Sequence, residues 1–275
     1  MSNGEVMLLN YLFTDLDGTL LNHHDYEYRP VLPVLSRLKA LGVIVILNSS
    51  KTSAELADWL KRLDLQTPYV AENGGAIYWP QSEPGVPVWR PELLGRPYSE
   101  IRSVLLRLRE ENAWDFAGFG DWSLQDVSHF TGLRAEDARR AKERAVSEPI
   151  LWFGSDEQFE DFKAALSRFN LRVLKGGRFY HVMAHHDKAN ALRWIKERAI
   201  ESANEPVKVL TGALGDGEND RAMLEAADFA MVLPAANGCL ELGRKDAYYA
   251  QKAAPWGWVE AVEGHYLQQL ALENN

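Results

Sequence analysis

The chain has 275 residues, of which 46% are hydrophobic and 25% are charged, and its formal net charge is −9. This length and composition are typical of a globular protein with one large domain or two moderate ones. The acidic balance argues against nucleic acid or anionic lipid as a partner. Cys239 is the only cysteine, so an internal disulfide is excluded. We expect a cytoplasmic protein, because neither a signal peptide nor an apolar stretch of membrane-spanning length is recognisable.

The first third of the sequence alternates between apolar strands and amphipathic helices. Ser53 is a candidate N-cap for the second helix. Continuous apolar strands that alternate with helices indicate a parallel sheet covered on both faces. The predicted elements are a strand at 6–14, a helix at 30–42, a strand at 43–50, a helix at 53–65, and two short strands around a glycine turn within 68–79.

The middle third differs in character. Residues 80–97 carry five prolines and are interpreted as a boundary or loop. An antiparallel hairpin is predicted around Gly176-Gly177, and Ser155 with Gln158 forms a capping-box pattern. The segment is most simply an insertion into one α/β domain, placed to act as a lid. Its other predicted elements are an amphipathic helix containing Ile101, Val104, Leu105 and Leu108, short helices within 123–133 and 134–145, a strand at 149–153 and a helix at 155–169.

The α/β pattern returns in the last third. A helix at 188–200, a strand at 207–216 and a helix at 219–227 continue the alternation. Short strands at 229–233 and 247–250 and a closing helix at 255–273 complete it. The flanking thirds therefore belong to one domain.

Carboxylates follow the ends of two predicted strands. The motif "DLDGT" (15–19) ends the first strand, and "GDGEND" (215–220) ends the strand at 207–216. Two carboxylates about 4 Å apart in a partly buried site repel each other by roughly 4 kcal/mol. A divalent cation with oxygen ligands removes this repulsion, and magnesium also accepts a phosphate oxygen. The pattern therefore indicates a magnesium site that handles a phosphate.

Two further fragments supply groups for the phosphoryl oxygens. "NSSKT" (48–52) places Ser49 after the second strand, and "DKANAL" (187–192) places Lys188 at the start of a helix. In such a site Asp15 attacks phosphorus and forms an aspartyl-phosphate, while Asp17 protonates the leaving oxygen and later activates water. Ser49 and Lys188 hold and neutralise the phosphoryl oxygens.

These four motifs, in this order, resemble the haloacid-dehalogenase superfamily of phosphatases, and the middle segment lies where that superfamily carries its type-2 caps. The resemblance implies a doubly wound parallel α/β core, 1–83 and 185–275, with an inserted α+β cap, 84–184. It implies that Asp15 is the nucleophile and Asp17 the general acid and base. It also implies magnesium bound by Asp15, the backbone carbonyl of Asp17, and Asp216, with Asp220 supporting the metal or Lys188 indirectly.

Finer features narrow the resemblance. "SSKTSAE", "AENGGAI", "TGL", "GGRFYHVM" and "GDGENDRAMLEAAD" together resemble the mannosyl-3-phosphoglycerate phosphatases, which release mannosylglycerate, a compatible solute. Ser49, Ser50 and Lys51 depart from the threonine, glycine and arginine that often form the second motif. A substrate carboxylate is best held by a bidentate guanidinium, and Arg178 follows the glycine turn. We therefore expect Arg178 to contact the substrate. Lys51 and Asn73 are further candidate substrate contacts.

The sequence is compatible with other roles for some of these residues and with other functions. Ser49 also fits a helix cap, Asn73 a turn residue, and Arg178 an ordinary surface cation. His185 and His186 are interpreted as part of a polar loop. At the level of function, the alternatives are a phosphatase of glucosyl-3-phosphoglycerate, sucrose phosphate or a hexose phosphate, and a non-catalytic regulator that kept a phosphate site. The sequence leaves the oligomeric state undetermined.

Overall fold

The structure is a computed structural model that describes residues 6–81, 88–236 and 238–273. The chain forms two compact units, each described by itself below. The first comprises Met1–Ser49, Arg62–Tyr69 and Lys188–Asn275, and the second comprises Ser50–Lys61 and Val70–Asp187. The predicted division into a core and a cap at 84–184 stays a prediction.

The strands and helices follow the predicted alternation along most of the chain. The strands are β1 (Met7–Thr14), β2 (Val43–Leu47), β3 (Tyr69–Ala71), β4 (Ala76–Gln81), β5 (Val88–Leu93), β6 (Phe116–Gly118), β7 (Ser147–Trp152), β8 (Leu171–Lys175), β9 (Tyr180–Ala184), β10 (Val207–Gly215), β11 (Phe229–Val232), β12 (Pro234–Ala235), β13 (Gly238–Cys239) and β14 (Tyr248–Tyr249). The helices are α1 (Leu32–Ala40), α2 (Ser53–Arg62), α3 (Tyr98–Asn112), α4 (Leu124–Thr131), α5 (Ala135–Lys142), α6 (Asp156–Ser167), α7 (Lys188–Glu201), α8 (Arg221–Ala226), α9 (Trp256–Ala261) and α10 (Leu267–Glu273). Within the described ranges, no helix is long and apolar enough to cross a membrane.

The first unit is built on a parallel sheet whose described strands have the order β14-β11-β10-β1-β2. Strand β1 lies near its centre, where Tyr11 is opposite Thr211 of β10 and Ile44 of β2. Leu12 and Phe13 of β1 are fully buried. Their burial explains the continuous apolar run, because a central strand covered on both faces has no solvent side. The predicted parallel sheet is confirmed.

The carboxyl ends of three neighbouring strands meet at one edge of this sheet. The backbone N–H of Asp15 donates to the carbonyl of Leu214 at 3.1 Å, and that of Asn48 donates to the carbonyl of Thr14 at 2.8 Å. The residues that follow β1, β2 and β10 are therefore neighbours in space. Open α/β sheets bind their ligands at such an edge.

The second unit contains an antiparallel sheet with the strand order β6-β7-β9-β8. Helices α3 and α6 bury their apolar faces against it, with Leu105 and Phe162 fully enclosed beside Ile150 and Val182. The predicted hairpin around Gly176-Gly177 is confirmed by the pairing of β8 with β9. The predicted capping box at the start of α6 is also confirmed.

Two local predictions are wrong. The hydroxyl of Thr52, one residue before the predicted Ser53, accepts the Glu55 backbone N–H at 3.2 Å, and Glu55 accepts the Thr52 N–H at 2.9 Å. Thr52 therefore caps α2. The proline-rich stretch 80–97, for which the sequence predicts a boundary or loop, contains β5, which pairs antiparallel with β4. Residues 82–87 of that stretch lie outside the described residues.

Candidate active site

Asp15 and Lys188 form the buried centre of the site in the first unit. Asp15 follows β1 and is only 6% exposed, while Lys188 begins α7 and is completely buried. The Nζ of Lys188 lies 2.7 Å from Oδ1 of Asp15 and 2.6 Å from Oδ1 of Asp220. The side chain of Asn48 donates to the backbone carbonyl of Lys188 at 3.0 Å, which ties the end of β2 to the start of α7. The predicted lysine thus lies between two carboxylates.

Both carboxylate oxygens of Asp220 accept hydrogen bonds. Its Oδ1 accepts from Lys188, and its Oδ2 accepts the backbone N–H groups of Asp216 and Gly217 at 3.1 and 3.0 Å. The loop after β10 is therefore closed around the Asp220 carboxylate. This arrangement fits the predicted supporting role of Asp220, because its carboxylate already accepts three hydrogen bonds.

Asp216 projects from the same loop and is contacted by two side chains from the segment after β1. The hydroxyl of Thr19 donates to Oδ1 of Asp216 at 3.0 Å. The Nε2 of His23 lies 3.5 Å from Oδ2. This contact with Asp216 raises the pKa of His23. Neither Thr19 nor His23 was among the predicted site residues.

The electrostatics of the cluster depend on burial and on like charges. Burial, reinforced by the Asp220 and Asp216 carboxylates, raises the pKa of Asp15 to about 7 although Lys188 opposes the change. Burial also raises the pKa of Asp220. Burial disfavours the ammonium form of Lys188, but Asp15 and Asp220 overcome this effect and raise its pKa above the ordinary lysine value. The cluster is therefore short of positive charge.

The residues present fit a magnesium ion. Asp15, Asp216 and Asp220 each place one carboxylate oxygen within 4.8 Å of the others. Hard cations prefer oxygen ligands, and magnesium takes only one or two carboxylates while keeping waters. Because the Asp220 carboxylate already accepts three hydrogen bonds, from Lys188 and from two backbone N–H groups, Asp15 and Asp216 are the better placed carboxylates.

The remaining predicted residues are distributed over both units. Asp17, partly buried, and Ser49, 1% exposed, belong to the first unit with Asp15. Lys51, Asn73 and Arg178 belong to the second unit. The structure brings together Asp15, Lys188, Asp216 and Asp220; the roles of all the predicted residues stay predictions.

Asn73 and its neighbour Glu72 form a turn with left-handed backbone, φ +57° and +52°. Asn73 is 2% exposed. Glu72, completely buried, accepts the backbone N–H groups of Ala145 and Val146 at 2.6 and 3.0 Å and the Ser147 hydroxyl at 2.7 Å. The turn therefore anchors a distant segment of the same unit.

Lys51 and Arg178 have local contacts in the second unit. The Nζ of Lys51 lies 3.9 Å from Glu55. Arg178 is exposed at the tip of the β8–β9 hairpin, and its guanidinium donates to the backbone carbonyl of Phe130. His186, interpreted from sequence as part of a polar loop, is 2% exposed, and its Nε2 lies 3.2 Å from the Glu72 carbonyl.

Comparison with known proteins identifies the family of this chain. The sequence profile of the haloacid dehalogenase-like hydrolases matches residues 12–85. A glucosyl-3-phosphoglycerate/mannosyl-3-phosphoglycerate phosphatase from Persephonella marina is 32% identical over 260 residues, which cover 91% of this chain and 95% of the relative. The chain belongs to the haloacid dehalogenase-like hydrolases. The predicted family and the predicted enzyme class, a phosphoric monoester hydrolase, are confirmed.

Solved structures of this family share the fold. A phosphatase of the haloalkanoate superfamily from Bacteroides thetaiotaomicron superposes with a TM-score of 0.67 at 16% identity, covering 96% of this chain and 97% of its own. A subclass IIB sugar phosphatase of the superfamily has a TM-score of 0.57 at 16% identity, covering 81% of this chain and 87% of its own. At this identity the similarity demonstrates the fold alone, and the predicted fold class is confirmed.

Proposed function

We propose that this haloacid dehalogenase-like hydrolase is a magnesium-dependent phosphatase that converts mannosyl-3-phosphoglycerate to mannosylglycerate and phosphate. The observation that carries the proposal is the buried contact of Lys188 with Asp15, 2.7 Å, beside Asp216. The name of the Persephonella marina relative supports the substrate. A cytoplasmic site of action and a role in making a compatible solute are part of the same proposal.

The proposed reaction has two steps, in which Asp15 is the nucleophile and Asp17 transfers protons. A carboxylate oxygen of Asp15 forms a bond to phosphorus while the bond from phosphorus to the leaving oxygen breaks, giving an aspartyl-phosphate. Asp17 gives its proton to the leaving oxygen of the glycerate moiety. In the second step Asp17 takes a proton from water, whose oxygen attacks phosphorus and releases phosphate and Asp15.

Lys188 and Ser49 neutralise and hold the transferring group. The ammonium group of Lys188, already beside the attacking carboxylate, is within reach of a phosphoryl oxygen bound there, and Ser49 donates a hydrogen bond to another. Asp220 keeps Lys188 charged and oriented through their 2.6 Å contact. A magnesium ion held by Asp15, Asp216 and the backbone carbonyl of Asp17 supplies further positive charge for the phosphoryl oxygens.

Substrate choice is proposed to come from the inserted segment at 84–184 acting as a cap. Arg178 is the candidate partner of the substrate carboxylate, because a guanidinium offers two parallel donors. Its contact with a backbone carbonyl leaves further guanidinium N–H groups for a ligand, since the group carries five. Lys51 and Asn73 are the other candidate substrate contacts.

A second substrate, glucosyl-3-phosphoglycerate, is favoured by the same relative, whose name carries both compounds. The two differ in their sugar and share the phosphoglycerate portion. The same active-site residues would hydrolyse either one. A non-catalytic regulator is disfavoured, because a phosphate-binding relic needs neither a nucleophile nor a general acid.

A phosphate-release assay over a set of sugar phosphates tests the proposal. The set contains mannosyl- and glucosyl-3-phosphoglycerate, sucrose phosphate, a hexose phosphate and a small aryl phosphate, each with magnesium and with excess chelator. The proposal predicts the highest kcat/KM for mannosyl-3-phosphoglycerate and no turnover in chelator. A preference for sucrose phosphate or hexose phosphate would overturn the substrate, and activity in chelator would overturn the metal dependence.

A further inference from the structure

The carboxylate of Asp216 is restrained at both oxygens. The hydroxyl of Thr19 donates to Oδ1 at 3.0 Å, and the Nε2 of His23 lies 3.5 Å from Oδ2, which is longer than an ordinary hydrogen bond. Thr19 and Asp216 are buried, whereas the His23 side chain is 53% exposed. One partner is therefore part of the packed interior, and the other reaches the carboxylate from the solvent side.

The path of the chain after β1 creates this approach. The backbone N–H of Gly18 donates to the carbonyl of Leu21 at 2.9 Å, and that of Leu21 donates to the carbonyl of Leu16 at 2.8 Å. These bonds close a tight turn that returns His23 to a position over Gly18.

Gly18 provides the space in which the imidazole and the carboxylate meet. Its φ of +79° lies in the left-handed region that favours glycine. A Cβ at this position would lie 2.5 Å from Oδ2 of Asp216 and closer still to the imidazole of His23. The contact thus depends on a residue without a side chain at position 18.

We propose that His23 is a positioning residue that orients the Asp216 carboxylate for the divalent cation. The inference rests on the proposed magnesium site and extends it to a residue outside the motifs. With Thr19 on one oxygen and His23 on the other, the carboxylate cannot rotate freely about its Cβ–Cγ bond. Each oxygen keeps a second lone pair for a cation, because a carboxylate accepts about four hydrogen bonds or metal contacts in total.

Such outer partners have measurable effects on metal affinity. Removing a residue that orients a metal ligand typically weakens metal binding by about 10- to 100-fold. The long distance between His23 and Asp216 places the expected loss at the lower end of that range. His24, the next residue, is a matched control because its side chain is exposed. Its backbone N–H donates to the side-chain oxygen of Asn22 at 2.8 Å, and this bond is kept when the side chain is replaced.

Magnesium titration calorimetry of the substrate-free protein tests the proposal. The variants are His23→Ala, His23→Gln and His24→Ala. His23→Ala should weaken magnesium binding about tenfold. His23→Gln, whose amide nitrogen reproduces the position of Nε2, should stay within about threefold of the unchanged protein. His24→Ala should bind magnesium normally. Thermal unfolding in chelator should be the same for all, because His23 is half exposed.

The outcomes separate this inference from the proposed function. If the unchanged protein binds magnesium and His23→Ala binds it equally well, the positioning role is overturned and the metal site stands. Equal losses in His23→Ala and His24→Ala would also overturn it, since a general change of surface charge would then explain both. If the unchanged protein binds no magnesium, the proposed metal site fails and the inference fails with it.

Discussion

Replacing Lys188 with methionine tests whether one buried ammonium group holds the active-site carboxylates together. Its contacts of 2.7 Å to Asp15 and 2.6 Å to Asp220 each correspond to about 6 kcal/mol of attraction at an effective dielectric constant of about 20. The cost of burying three charged groups offsets most of that attraction. Methionine removes the cation and leaves both carboxylates buried without a cationic partner, which costs about 3–5 kcal/mol. We therefore expect the free energy of unfolding to fall by that amount.

The same substitution elsewhere on helix α7 provides the control. Lys196 pairs with Asp228 at 3.0 Å, but both side chains are partly exposed. Surface pairs of this kind contribute about 0–1 kcal/mol, so Lys196→Met should have a small effect. Urea unfolding of both variants in chelator, followed by circular dichroism, measures the difference.

Turnover provides a second measurement on these variants. Lys188→Met should lower kcat at least about 100-fold, because a charge that stabilises the phosphoryl oxygens is lost. Lys196→Met should leave kcat unchanged. Equal stability losses in the two variants would contradict the prediction, because the buried Lys188 contacts would then contribute no more than an exposed pair.

Further predictions concern catalysis, the metal, the substrate and the second unit. Asp15→Asn should abolish turnover, because an amide is not a nucleophile, while Asp17→Asn slows both proton transfers; near-normal turnover of Asp15→Asn would contradict this. Chelation should stop phosphate release, and magnesium should restore it better than calcium, whose coordination is looser; full activity in excess chelator would contradict the metal site. Arg178→Lys should lower kcat/KM for mannosyl-3-phosphoglycerate but not for an aryl phosphate, because lysine cannot form the bidentate contact; equal losses on both would exclude a role in substrate choice. Burial lowers the pKa of His186 from 6.5 to about 4. As the pH falls, the imidazole is therefore protonated in the unfolded chain before it is protonated in the folded one. Its contribution to stability is complete above pH 6.5 and is lost as the pH falls toward 4. His186→Gln should reduce the slope of unfolding free energy against pH in that window by up to about 1.4 kcal/mol per pH unit, and His185→Gln should not; equal slopes in both variants would contradict the assignment.

The grouping of Asp15 with Asp216 could be predicted because it needs little knowledge of the fold. Both residues follow long apolar strands, and parallel strands place their carboxyl ends at one edge of a sheet. Lys188 was identified by its place in the order of motifs. Its burial between Asp15 and Asp220 could not be read from sequence, because it depends on the loop that closes after β10.

His23 was missed for a different reason. Its approach to Asp216 depends on the left-handed turn at Gly18, and the glycine of "DLDGT" alone does not indicate where the chain goes next. The burial and the contacts of Glu72 and His186 could not be predicted, because their partners are remote in sequence. Glu72 binds residues 145–147, and His186 contacts the Glu72 carbonyl, 114 residues away.

Local errors also have physical explanations. Thr52 and Ser53 both carry a hydroxyl, but only Thr52 has a glutamate three residues later, and the reciprocal bonds of Thr52 with Glu55 make it the cap. Strand β5 contains Pro91, which lowers the strand signal. A proline is tolerated there because β5 is at the edge of the three-stranded sheet β3-β4-β5, where one side needs no backbone donor.

Trapping the covalent intermediate tests whether Asp15 is the nucleophile. The enzyme is mixed with mannosyl-3-phosphoglycerate and magnesium, quenched with acid within one turnover, digested and analysed by mass spectrometry. We expect one added phosphoryl group on the peptide that contains Asp15, and none in Asp15→Asn. Rapid phosphate release with no phosphoryl group on that peptide at any quench time, while Asp15→Asn keeps its activity, would contradict it.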